Sequence, residues 1–330
     1  MKILVLGGTI FVGRHIVEAA LGRGHEVTLF NRGTRPSVFP NVDTLIGDRD
    51  GDLTALEGKQ WDAVIDTSGY VPRVVRDSAE LLRDSVGHYT FVSSISVYDD
   101  RTTPYLDEDA SVATLKRDTE EVTSETYGAL KALCEDVVNE VYGDAALNVR
   151  PGIVVGPYDP TDRFTYWVRR VAEGGEVLAP GGPEKVVQYI DARDLGAWVV
   201  TNVEARTAGT YNTVTTPDTV SFGDVVRHAR EASGSDAEVT WVSEDFLLEQ
   251  GVKPFADLPL WLPGERANFF RVSNERARAL GLTPRPVRDT VADTYSWDAK
   301  RDEPLTAGID RDREQALLSK WHHQSRGRQS

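Results

Sequence analysis

The 330-residue chain is 40% hydrophobic and has a formal net charge of -15. It is long enough to bury one large core or two coupled ones, and too acidic to coat nucleic-acid phosphates, a task that rests on Lys and Arg displacing counterions. One cysteine, Cys134, and six scattered histidines without an H-E-x-x-H spacing exclude a disulfide framework and supply no metal-ligand set.

MKILVLGG enters a strand at once, and no apolar run approaches the roughly 20 residues that cross a bilayer. The expectation is a cytoplasmic protein whose partner is a small-molecule substrate, with neither membrane nor nucleic acid among its partners; a homodimer is left open. Strand-length apolar runs alternate with helical patterns through the first half. After KILVLGG, residues Ile16, Val17, Ala20 and Leu21 recur at helical spacing and would bury one face on a sheet. EVTLFNRG, TLIGD, DAVIDTSG, YTFVSSIS and LNVRPGIVV follow. Short connections between such elements predict βαβ units and an α/β fold, a Rossmann-type doubly wound parallel sheet over residues 1–156. After Pro157 come Pro/Gly-rich loops (GPYDPTDRF, LAPGGPEK) and aromatic islands (TYWVRR, FADLPLWLPGE, ANFFRVS). These read as a smaller, interleaved C-terminal substrate lobe over 157–186 and 215–320. VVQYIDARDLGAWVVTNVEA would return a strand and a helix to the main body over 187–214, and residues 321–330 read as a disordered tail.

The turn after the first strand has the form of a dinucleotide-binding loop. In G-x-x-G-x-x-G the first glycine makes the tight turn, the middle one lets backbone approach a pyrophosphate, and the third lets helix pack on strand. Those places hold Gly7, Ile10 and Gly13, with Thr9 able to hydrogen-bond within the turn and Phe11 and Val12 opening the helix. Isoleucine at the middle place puts a side chain where backbone should meet phosphate. The second strand ends in Asn31 and Arg32, with Arg35 close behind. A carboxylate there would bind a free ribose 2′-hydroxyl, whereas an arginine fork pairs with a 2′-phosphate, so NADP is favoured over NAD. A solvated loop charge is the plainer alternative for Arg32.

Glycine turn, NRG, SSISVY, YGALK and RPGIVVGP stand in one order along the chain. In this the chain resembles the extended short-chain dehydrogenase/reductases, the NAD-dependent epimerase/dehydratase family, and its GGTxFxG turn resembles a divergent subgroup that includes chloroplast stem-loop RNA-binding proteins. The resemblance implies a catalytic Ser94, the pair Tyr127 and Lys131, and dinucleotide contacts from Asp48 near the adenine, from Thr67, Ser68 and Gly69 beside the pyrophosphate and ribose, and from Pro151 and Ile153. It also implies that Lys131 binds the nicotinamide ribose.

The chemistry can be argued from the residues. A phenol with a pKa of about 10 needs its anion stabilised by roughly three units, about 4 kcal/mol, to act as a base near neutrality. Lys131 lies one helical turn from Tyr127, on the same face, and supplies positive charge. Ser94 would hold the substrate oxygen. The other view is that Tyr127 and Lys131 decorate a surface helix.

Family 4,6-dehydratases carry an acidic pair after the catalytic hydroxyl, and here Ile95 and Ser96 stand there. Redox chemistry with exchangeable NADP(H) is therefore expected ahead of elimination, with an NAD-dependent sugar-nucleotide epimerase and a non-catalytic dinucleotide sensor or RNA-binding protein as alternatives. Arg163, Trp167, Trp261 and Arg271 are expected to line the substrate pocket. Cys134 reads as a packed thiol, and Asp191, Arg193 and Asp194 as structural bridges.

Overall fold

The computed structural model describes residues 1–36 and 38–327. They form two compact units, the first made of Met1–Val154, Tyr189–Thr215 and Val272–Pro284.

The first unit opens with β1 (Lys2–Leu6), α1 (Phe11–Gly22), β2 (Glu26–Asn31), β3 (Asp43–Ile46), β4 (Ala63–Asp66), α2 (Pro72–Leu82), β5 (Tyr89–Val92), α3 (Tyr127–Tyr142) and β6 (Ala146–Pro151). After a short β7 (Ile153–Val155) and, further on, β9 (Tyr189–Asp191), it continues with α5 (Ala192–Glu204) and β10 (Gly209–Thr213). Seven strands pair in parallel in the order β10-β6-β5-β4-β1-β2-β3. β1 is buried on both faces, as a central parallel strand must be. Ile3 and Val5 pack with Ile16 and Val17 of α1 and Val199 of α5, whereas Leu4 and Leu6 pack with Val75 of α2 and Val138 of α3. This is a doubly wound α/β sheet with helices on both sides. Strand order reverses at β1, so the loops leaving β1 and β4 diverge there and open the crevice in which such folds hold ligands.

Three expectations change. Leu21 is 38% exposed, whereas Phe11, His15, Ile16, Val17 and Ala20 of α1 are buried. LNVRPGIVV is two strands, broken where Gly152 lies so close to Val214 that a Cβ would meet its Cγ1 at 2.6 Å. Residues Val272–Pro284, read as part of the second lobe, belong to the first unit: Ala277 O accepts from Trp198 Nε1 at 3.2 Å, and Ala277 and Leu282 are core residues there.

The second unit comprises Val155–Gln188, Thr216–Arg271 and the described residues from Arg285 onward. It holds α4 (Arg163–Ala172), β8 (Glu176–Pro180) paired in parallel with β11 (Glu238–Val242), α6 (Phe222–Ser233) and a helix over Val287–Asp298. Residues 321–327, expected to be disordered, belong to a helix over Arg311–Gly327. Leu317 and Leu318 on that helix are buried and Trp321 packs against Phe246, so its apolar face has a partner. The rest of the expected tail, residues 328–330, lies outside the described residues. Among the described residues no helix is long and apolar enough to cross a membrane.

Candidate active site

Beyond β1 the chain turns through Gly7 and Gly8, both at positive φ (102° and 87°). A Cβ on Gly7 would lie 2.6 Å from Thr67 Oγ1, and one on Gly13 2.8 Å from Gly8 Cα, so α1 packs directly on the turn. Ile10 stands at the middle place of this turn. Its backbone is extended (φ -123°, ψ 135°), it precedes the first helical residue, and its side chain is 44% exposed. The strained residue is Phe11, at φ 34°, buried with its ring edge-on to His15. Thr9 and Val12 are half-buried, and no side-chain hydrogen bond of Thr9 is formed among the described residues. The first turn of α1 has no acidic residue, and its unpaired N–H groups and dipole suit an anion, so the residues present fit a pyrophosphate. Ile10→Gly is accordingly expected to leave the affinity for NADPH equal or improved, with a melting loss of at most about 1 kcal/mol from backbone entropy. Calorimetric titration beside a melting curve checks this, and weaker binding with an unchanged melt would show Ile10 to be a positive contact.

At the end of β2, Asn31 Oδ1 accepts from Gly33 N at 2.9 Å. Arg32 and Arg35 are exposed and form no ion pair among the described residues. Asp48 is exposed too, its carboxylate accepting from Asp50 N at 3.1 Å. The neighbouring Arg49, which the motifs did not single out, turns inward to a buried ion pair with Asp66 at the end of β4. Ser78 Oγ accepts from Arg49 Nη2 at 2.9 Å, and Tyr89 OH donates to Asp66 at 2.9 Å. Burial works against both charges, and each partner more than offsets it, so the Asp66 carboxyl stays below its usual range. The pair fixes the next loop: Ser68 N donates to Asp66 Oδ1 at 3.0 Å, while the hydroxyls of Thr67 and Ser68 donate to Leu6 O at 2.9 and 3.2 Å. The β4–α2 loop is thereby tied to the end of β1.

Gly69 is the middle residue of that loop. Its carbonyl accepts from Lys131 Nζ at 2.7 Å, and Val92 O accepts from the same nitrogen at 2.7 Å. Lys131 is 3% exposed. Its ammonium lies 4.1 Å from the Phe91 ring centroid and 5.3 Å from that of Tyr70. Burial pushes its pKa down to about 8, against the opposing pull of the Cys134 thiol, Asp66 and Glu135. Two of the three ammonium N–H groups are accounted for, and the third has no protein acceptor among the described residues. Tyr127, half-buried, is the first residue of α3, one turn before Lys131. Ser94 lies in extended backbone just before a 3-10 turn, and its Oγ accepts from Ser96 N at 3.0 Å, which leaves the hydroxyl proton available to donate. Gly128 makes the approach of α3 to this turn possible, because a Cβ on it would stand 2.1 Å from Ser96 O. Pro151 and Ile153, expected at the dinucleotide, are both buried around the β6–β7 break.

Elsewhere the residues singled out lie as follows. Cys134 is fully buried and burial raises its pKa to about 12, which describes a packed thiol. Asp191 caps α5 by accepting from Arg193 N at 2.9 Å and pairs with the Arg193 guanidinium. In the second unit, Trp167 is fully buried, donates to Pro259 O at 2.7 Å and packs edge-on to Phe222. It is a core residue and not a ligand-facing wall. Trp261 lines a small apolar cavity of that unit with Phe222, Leu260 and Phe270, its indole N–H donating to Glu244 at 3.0 Å. Arg163 is exposed beside the Phe255 ring, and Arg271 pairs with Asp218 at 2.7 Å.

A family model described as NAD dependent epimerase/dehydratase family matches residues 3–214. The chain belongs to that family. The chloroplast stem-loop binding protein of 41 kDa b of Arabidopsis thaliana is 27% identical over 214 residues, 59% of this chain and 53% of that protein. An isoflavone reductase homolog of Zea mays is 39% identical over 61 residues, 18% of this chain and 20% of that protein. The chain thus spans about half the length of the first relative and less of the second. Among solved structures, a UDP-glucuronic acid 4-epimerase from Bacillus cereus in complex with NAD superposes with a TM-score of 0.67 at 16% identity, covering 92% of this chain and all of that one. A UDP-N-acetylglucosamine 4-epimerase from the same organism gives 0.63 at 17%, covering 90% and 98%. At such identities the likeness establishes the family's fold.

Proposed function

We propose that this member of the family is an oxidoreductase that interconverts a carbonyl and a hydroxyl on a small substrate, using exchangeable NADP(H). The observation that carries the reading is Lys131: a buried ammonium held by two carbonyls, with a third N–H unspent, one helical turn after a tyrosine. The nicotinamide, when bound, gives or takes the hydride. Tyr127 gives the substrate oxygen its proton in reduction and removes it in oxidation, so that atoms and charge balance. Lys131 lowers the cost of the phenolate and offers its third N–H to a ribose hydroxyl. Ser94 donates to the substrate oxygen and holds it within reach of Tyr127. Gly7, Gly8 and Gly13, with the first turn of α1, would hold the pyrophosphate.

The NADP preference rests on Asn31 and Arg32, where no carboxylate stands and the guanidinium has no ion-pair partner among the described residues. Wild type is expected to bind NADPH about tenfold more tightly than NADH, and Arg32→Ala to erase most of that ratio, the scale of one hydrogen-bonded charge pair. Fluorescence titration of both nucleotides decides it, and equal affinities in wild type would sink the assignment. An NAD-dependent sugar-nucleotide epimerase is the second reading, supported by the likeness to UDP-sugar 4-epimerases over nearly the whole chain. Tight NADH binding without NADPH preference would favour it.

A further inference from the structure

We propose that Tyr70 is a fourth side chain of the active site, beside Ser94, Tyr127 and Lys131, a platform on which the group beside the reacting carbon lies flat, so that the site selects carbonyls and alcohols bearing a planar, conjugated substituent. The inference rests on the reading of Tyr127 and Lys131 as the catalytic pair.

Tyr70 is 47% exposed, and a lone exposed aromatic needs no explanation by itself. Its place sets it apart. The ring centroid lies 6.3 Å from that of Tyr127, tilted by 42°, and 5.3 Å from Lys131 Nζ. The backbone beneath Tyr70 is also held. Gly69 O is a partner of Lys131, and a Cβ on Gly69 would meet Phe91 at 2.6 Å and Val75 at 2.8 Å, so this loop is pressed onto the sheet. On the other side Val71 is extended and Pro72 starts α2, which restricts Val71 to that conformation. A half-exposed ring on a fixed backbone, beside a proton donor, offers a preorganised apolar face at little entropic cost. Partial burial of the phenol, with the Asp66 charge adding, raises its pKa.

A planar substituent gains over a saturated one of equal size by ring stacking, an advantage of about fivefold. Acetophenone and cyclohexyl methyl ketone match in size and differ in planarity. Their binding to the full chain saturated with NADP+, where no hydride can move to the ketone, is measured by saturation-transfer NMR for wild type, Tyr70→Phe, Tyr70→Leu and Tyr70→Ala. Wild type and Tyr70→Phe are expected to prefer acetophenone about fivefold, and Tyr70→Leu and Tyr70→Ala to bind the two alike. Tyr70→Leu is read if the alanine variant melts early. No preference in wild type, a preference that survives in Tyr70→Leu, or a loss of NADP+ affinity with the ketone ratio intact overturns the proposal. Turnover with NADPH by wild type and Tyr127→Phe tests the catalytic pair separately. If the two rates are equal the pair is wrong, while the ketone ratios still decide Tyr70.

Discussion

Tyr127→Phe is expected to cut ketone reduction by about 10²- to 10⁴-fold, the worth of a positioned proton donor, while NADPH binding stays within about twofold because the ring and its packing remain. NADPH oxidation with acetophenone reads the first quantity and quenching of NADPH fluorescence the second. Lys131→Ala is expected to damage both, since it leaves Gly69 O and Val92 O, each 2.7 Å from the ammonium, without their donor. The pH dependence tests the same group. Burial places the Lys131 pKa at about 8 in place of 10.5, so the charge that supports a phenolate is lost as pH rises through about 8, and the rate falls there. Stability runs the other way. Between about 8 and 10.5 the unfolded chain still holds the lysine proton that the native state has released, so this group makes the native state more stable as pH rises across that window. Near-normal turnover in Tyr127→Phe would falsify the acid/base assignment.

The alternating strands of the first unit and its glycine turn were legible because they are local: period, turn residues and a helix start lie within a few positions of one another. Ser94, Tyr127 and Lys131 came from a resemblance, and the structure adds what Lys131 touches. What the sequence concealed depends on pairing across the fold. Arg49 follows β3 in a run of charges, GDRD, that resembles a solvated loop, and only the parallel stacking of β3, β2, β1 and β4 lets it reach Asp66. Val272–Pro284 follows an aromatic island and reads as its continuation, although Ala277 is held under Trp198. Aromatic type tells size and not surroundings: Trp167 in TYWVRR is core, whereas Tyr70, in a loop that reads as plain backbone, shows half its surface. The isoleucine in the turn was visible, but not that its backbone would be extended and Phe11 would take the left-handed angle.

Gly128→Ala is expected to lower turnover by about 100-fold, the scale of a misplacement of about 1 Å at a reacting group. In YGALK the glycine reads as a mild weakness in a helix, since alanine is worth about 1 kcal/mol more there. The structure reverses that reading, because a Cβ would lie 2.1 Å from Ser96 O and 3.0 Å from Ser96 C, backbone atoms of the turn that Ser94 opens. Neither contact can be relieved by a rotamer change. Either the first turn of α3 or the serine turn must move, and each movement separates Tyr127 and Lys131 from Ser94. Overpacking of this kind costs about 1–3 kcal/mol and the gain in helix propensity returns about 1 kcal/mol, so the melt should shift much less than the rate. Gly22→Ala is the matched control: at the end of α1, with nothing within 4 Å of its added Cβ, it should leave turnover unchanged and the melt equal or higher. If Gly128→Ala keeps wild-type turnover, the close approach of α3 to the serine turn is not what aligns the catalytic groups, and the alignment must come from the carbonyls that hold Lys131.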